Sequence, residues 1–161
     1  MFTTPAPKII NFYPDVPRGV ILQNRINWHT YLQQPEARHW RNSLESIREG
    51  NARCCLGHAC HVLGVPRRVV LNGDWKSVYY AEQHGYAPKV TQRLLGLCTE
   101  DARVFGNLPE FMVTECGYAC TTFAHLNDVK RWTPQKIGEL LETMVDGGPG
   151  TPYFPLTAYR A

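Results

Sequence analysis

Arg53-Cys54-Cys55-Leu56-Gly57-His58-Ala59-Cys60-His61 gathers three of the chain's six cysteines and two of its six histidines into nine residues. Thiols and imidazoles bind zinc, attack carbonyls and sense redox state, so chemistry is sought here first. Cysteine is also among the most buried residue types and serves in cores as a small hydrophobe. The local pattern predicts a helix over 54–63, closed by Gly64 and then Pro66. At helical periodicity Cys55, Leu56, Ala59, Val62 and Leu63 share one broad core face, while Cys54, His58 and His61 form an opposite stripe and Cys60 sits on the flank. This helix is expected to lie at the centre of the fold.

Working outward, Pro35 suits a first helical position, Trp40, Leu44 and Ile47 recur at helical spacing, and Gly50 supplies a stop. The pattern predicts an amphipathic helix of about four turns, with Arg41 and Glu45 paired on its solvated face. Before it, Trp28, Tyr31 and Leu32 suggest a short helix or a single turn within 24–33. After the cysteine segment, 67–71 and 75–80 are β-prone runs joined at Asn72-Gly73, a strong hairpin signal. A short helix is expected over 88–95 with Gly96 as its stop, then a loop over 98–108, then a second hairpin from 111–114 and 118–122. The last helix has Thr133 as N-cap, Pro134 in first position, Trp132 stapled onto Ile137, and a stripe of Ile137, Leu140, Leu141 and Met144.

A chain of 161 residues with 43% hydrophobic and 19% charged residues fits one ordinary globular domain. The expected architecture is α+β with a helical majority: four or five helices and one or two β-hairpins in a single compact body, residues 24–146. It is flanked by an extended Pro-rich arm over 1–23 and a Gly/Pro/aromatic tail over 147–161. No run approaches the roughly 20 apolar residues of a membrane span, and the first residues lack the design of a secretory signal. The six cysteines show no disulfide-scaffold spacing and are read as reduced thiols in a cytoplasmic protein. A net charge of +3 without a dense basic run does not indicate nucleic acid. Arg67 and Arg68 beside Trp75, Tyr79 and Tyr80, or Lys130 and Arg131 beside Trp132, are too short to be told from ordinary surface. Gly147-Gly148-Pro149-Gly150 follows a helix and lacks Lys, so it is a linker and not a phosphate loop.

Two chemical readings compete with the structural one. Cys54, His58 and His61 on one stripe are candidate zinc ligands, with a fourth from Cys116, Cys120, His125 or water. Against this, no C-x-x-C or H-x-x-x-H pair occurs, and the same residues suit a core helix with histidines on its edge. Cys54 or Cys55 at a helix N-terminus could serve as a nucleophile with His125 and Asn127 or Asp128, but no protease signature surrounds them. Asn127 and Asp128 also suit a plain role, bonding backbone N–H groups where the chain turns between helices.

The order Cys54-Cys55-Leu56-Gly57, Leu94-Leu95-Gly96-Leu97 and Leu126-Asn127-Asp128 with Trp132-Thr133 resembles small uncharacterised proteins of tailed phages and prophages that carry "CCLG" and "LND" motifs. The Asn-Asp, Thr-capped ending also looks like a domain of unknown function from actinobacteria. The resemblance spans roughly residues 38–145 by motif order. His58 and His61 depart from the pattern, so a histidine-dependent site would be particular to this chain. The resemblance implies a phage-encoded accessory protein without a known activity, acting in the cytoplasm of an infected or lysogenic host or in the virion. The expectation is a non-enzymatic protein that binds a host or virion protein, with Trp132, Tyr153, Phe154 and Tyr159 as contact residues and no cofactor. Cys55, Leu56, Asn127, Asp128 and Thr133 are expected to be structural. The alternatives are a zinc or small-molecule binder on the Cys54/His58/His61 face, conceivably an enzyme, and a virion or other assembly component.

Overall fold

The computed structural model describes residues 8–10, 15–97, 99–105, 112–113, 119–142 and 158–160. A short strand β1 (Lys8–Ile10) precedes helix α1 (Arg18–Leu32), which starts directly after Pro17. The extended reading of 18–23 is therefore corrected. Pro17 has no N–H to satisfy and sits where a helix leaves such donors unpaired, and Ile21 continues the buried stripe that Trp28 and Leu32 form. Arg25 lies in that same stripe, wholly buried. Its Nε donates to the Leu95 carbonyl at 2.7 Å and its Nη2 to that of Gly96 at 3.1 Å.

The four-turn helix predicted after Pro35 does not form. Residues 33–54 run instead through turns and two short parallel strands, β2 (Arg38–His39) and β3 (Ala52–Arg53). Local side chains outcompete the helix for the backbone, as Ser and Asn do. Asn42 and Asn51 take left-handed backbone at φ 72° and 61°. The Ser46 hydroxyl accepts from the Arg48 and Glu49 N–H groups. Leu44 alone of the expected stripe is fully buried, and Ile47 stays exposed.

Helix α2 (Cys55–Val62) follows as expected, ending at Leu63 with Gly64 left-handed. The hairpin β4 (Arg67–Asn72) and β5 (Trp75–Tyr80) also forms, but Asn72 pairs with Trp75, so the two-residue turn is Gly73-Asp74, with the positive φ on Gly73. Helix α3 (Lys89–Leu95) ends on left-handed Gly96. The expected loop over 98–108 contains strand β6 (Arg103–Phe105). With β7 (Met112–Val113) and β8 (Ala119–Thr122) it makes a three-stranded antiparallel sheet in which β8 is central. Thr122 caps α4 (Phe123–Asp128), and Thr133 caps α5 (Pro134–Glu142) by accepting from the Lys136 N–H at 3.1 Å. Met144 lies outside the described residues. β9 (Ala158–Arg160) pairs antiparallel with β1.

The fold is α+β, and helical residues outnumber those in strands. One main core forms around α2, whose Cys55, Leu56, Ala59 and Cys60 meet Trp28 and Leu32 of α1, Phe123 and Leu126 of α4, and Ile137 and Leu141 of α5. Among the described residues no helix is long and apolar enough to cross a membrane.

Candidate functional site

Each residue of Cys54-Cys55-Leu56-Gly57 does a structural job. Cys54 is the N-cap, its Sγ accepting from the Gly57 N–H at 3.3 Å. Cys55 turns its thiol inward and donates to the Phe123 carbonyl at 3.7 Å. Leu56 is core. Gly57 lies against the backbone of Leu44, where a Cβ would stand 1.8 Å from the carbonyl oxygen. This is a close backbone approach that glycine alone permits.

Leu126-Asn127-Asp128 closes on the same point. Asn127 is fully buried; its Oδ1 accepts the Cys55 N–H at 3.1 Å, and its Nδ2 donates to the Trp40 carbonyl at 2.8 Å and to Asp128 Oδ1. Asp128 Oδ1 also accepts the Asn42 N–H. The expected backbone-bonding role is correct in kind, but it acts across 72 residues of chain and not within a local turn.

The two histidines of the stripe have different fates. His58 is buried, contrary to a surface edge, because the 38–53 segment covers this side of α2. Its Nε2 lies 2.8 Å from the Arg38 carbonyl. A carbonyl only accepts, so Nε2 carries the proton and Nδ1 holds a lone pair. That Nδ1 is buried without a partner among the described residues. Burial pushes His58 down to about 4, against the opposing bond to Arg38, so the ring is neutral at physiological pH. His61 is exposed, and Tyr31 lies with its ring centroid 5.4 Å from His58 and 5.3 Å from His61.

Burial pushes Cys54 and Cys60 up to about 12 and Cys55 well above its ordinary value. A thiol in this state is not a nucleophile at neutral pH. Among the described residues neither Cys54 nor Cys55 bonds an imidazole. His125 is exposed on α4, and Asn127 is spent on the Cys55 N–H, so the Cys-His-Asx arrangement is not assembled. No three His, Cys, Asp or Glu side chains gather to hold a metal among the described residues. Cys116 lies outside them, as do Tyr153 and Phe154, while Cys120 and Tyr159 are described in backbone alone, in β8 and β9. Trp132 packs partly buried against the main core, with Lys136 Nζ 4.1 Å from its ring centroid.

Sequence reasoning missed a charged cluster beside α2. Glu45 does not face solvent beside Arg41. It is buried, and Oε1 accepts from Arg53 Nε at 2.8 Å and from the Tyr80 hydroxyl at 2.5 Å, while Oε2 accepts from Arg67 Nε and Nη2 at 2.9 and 2.5 Å. Burial alone would raise this carboxyl, but the bonds from Arg67, Tyr80 and Arg53 outweigh it and hold Glu45 below the usual carboxylate range. Arg68 pairs with Glu82. Both hairpin arginines thus have carboxylate partners.

Beyond this cluster the hairpin leaves the core. Tyr80 and Val78 are buried at its base, but β4 is exposed almost throughout. Between the hairpin's outer half and the 40–48 segment lies an open cleft of about 900 Å³. Trp40, Ile47, Val69, Leu71 and Trp75 supply its apolar lining, and Arg48, Asp74 and Lys76 its charge. Leu71 is 67% and Trp75 74% exposed. The only advance signal was the β-prone composition of 67–71 and 75–80, which marks strands and not which face is bare.

The chain matches no family model, no curated protein and no solved structure. Function therefore rests on the chemistry of its own residues.

Proposed function

We propose that the protein is a non-enzymatic accessory protein, of the kind implied by its resemblance to the "CCLG" and "LND" phage proteins, and that it docks a partner protein in the cleft between the β4–β5 hairpin and the 40–48 segment. The observation that carries this reading is the neighbouring exposure of Leu71 and Trp75 beside Val69 and Ile47. Large apolar side chains left bare together beside a cleft mark a binding surface, and tryptophan is enriched among residues that dominate binding energy. Covering each such side chain contributes about 1.5–3 kcal/mol. The thiols and His58, by contrast, are consumed by the fold, and of the thiols and imidazoles between Cys54 and His61 only His61 is exposed.

The test is photo-crosslinking in producing cells, with a benzophenone amino acid placed at Trp75 and, as a control on an exposed apolar position elsewhere, at Val129. A discrete adduct at position 75 that disappears when Leu71→Ser is added is the expected result. Equal, diffuse labelling from both positions would remove the docking role of the cleft.

A further inference from the structure

β4 is an edge strand without the usual guards. Natural edges are blunted by proline, a bulge, or charge along the strand. The register from Arg67↔Tyr80 to Asn72↔Trp75 runs without interruption, so there is no bulge, and the strand holds no proline. Its two charges stand together at its start, where Glu45 and Glu82 engage them. The remaining residues, Val69-Val70-Leu71-Asn72, are uncharged. Along the side away from β5, alternate residues direct N–H and C=O groups outward, and no strand pairs there among the described residues.

The cleft beside this edge has a charge preference. Arg48 and Lys76 line it, and neither meets a carboxylate among the described residues; Asp74 is the single acidic group of the lining. A second copy of the chain would bring this cationic lining against its own likeness, which costs free energy. A segment whose every second residue is apolar or acidic presents both kinds on one face and meets both the charge and the bare surface.

We propose that the open edge of β4 takes up an extended segment of a partner protein as an added strand, with apolar side chains entering the cleft and acidic ones meeting Arg48 and Lys76. This rests on the docking reading above and gives it an occupant. Backbone pairing supplies affinity in such strand addition, and alternate side chains supply selectivity.

Fluorescence anisotropy of the full chain tests it with a capped octapeptide in which leucine and glutamate take turns at the odd positions and threonine fills the even ones, so that both share one face. Two companion peptides carry backbone N-methyl groups, at every threonine in one and at every leucine and glutamate in the other, and a third has lysine for glutamate. An added strand pairs through one of its own edges, so one methylated form should lose binding while the other keeps it. The lysine form should bind roughly tenfold or more weakly, and Leu71→Lys should abolish binding of the parent. Equal binding of parent and both methylated forms would overturn strand addition and leave the docking reading standing. Equal binding of the lysine form would overturn the charge preference. If no peptide binds while the position-75 crosslink persists, the proposal falls and the docking reading survives. A dimer by light scattering that Leu71→Lys dissolves would assign the edge to a second copy and overturn the proposal.

Discussion

Two regions of this molecule invert what their compositions suggest. The segment from Cys54 to His61 is rich in thiols and imidazoles, yet its Cys54, Cys55 and His58 are tied to backbone groups and buried. The hairpin from Arg67 to Tyr80 carries ordinary strand residues, yet Leu71 and Trp75 stand bare beside a cleft. Reactivity belongs to the environment as much as to the side chain: burial in an apolar surround keeps a thiol protonated and an imidazole neutral. Exposure, in turn, is what lets an ordinary leucine and tryptophan serve as the proposed binding surface.

The contrast breaks most easily at Gly57. Gly57→Ala sets a methyl group against the Leu44 carbonyl, and with backbone on both sides nothing yields without moving the chain. A loss of about 4 kcal/mol or more is expected in denaturant unfolding. Glu45→Gln leaves the Arg53 guanidinium buried without its counter-charge and should cost about 3–5 kcal/mol. Arg67→Ala removes a half-exposed partner of the same carboxylate and should cost about 1 kcal/mol or less. Equal effects from these two variants would show that the cluster is not organised around a buried charge.

Acid acts on the same side of the molecule. His58 falls from an ordinary 6.5 to about 4 in the fold, so between these values the unfolded chain binds the proton that the folded chain refuses. Stability is present above pH 6.5 and is lost as pH falls toward 4, by up to about 3 kcal/mol. Glu45, held low by its partners, adds a loss of the same sign at lower pH. His58→Gln should flatten the upper part of this curve in thermal melts; an unchanged slope between pH 6.5 and 4 would mean that His58 is solvated. Asn127→Ala strands the Cys55 N–H and the Trp40 carbonyl and should cost about 2–3 kcal/mol. The smallest effect sharpens the comparison most: Leu71→Ser and Trp75→Ser should each leave stability within about 0.5 kcal/mol, while Leu71→Ser removes the adduct formed from position 75. A large stability loss from either would return the hairpin to the core.

Elements with strong local signals were legible. The Gly64 stop, the Asn72-Gly73 turn region and the Thr133-Pro134 start each act within a few residues, and α2, the hairpin and α5 formed where these signals stood. The helix after Pro35 was misread because Trp40, Leu44 and Ile47 mimic helical periodicity, while the deciding partners of Glu45 lie 8, 22 and 35 residues along the chain. Periodicity sets Cys54 and His58 apart from Cys55, yet Cys54 caps the helix and joins the same buried cluster as Cys55. Periodicity carries no information on whether a second face is covered, and here the 38–53 segment covers it. The cleft was invisible for the same reason, since bareness depends on which elements fail to meet.

Arg25 carries a consequence for the protein's motions. Its Nε and Nη2 donate to the Leu95 and Gly96 carbonyls at the end of α3, from within α1's buried face. Parting the two helices would bare a desolvated cation and open a helix terminus at once. α1 and α3 should therefore open as one unit, their amides exchanging with solvent at a common free energy, while the outer half of the hairpin breathes independently and far more often.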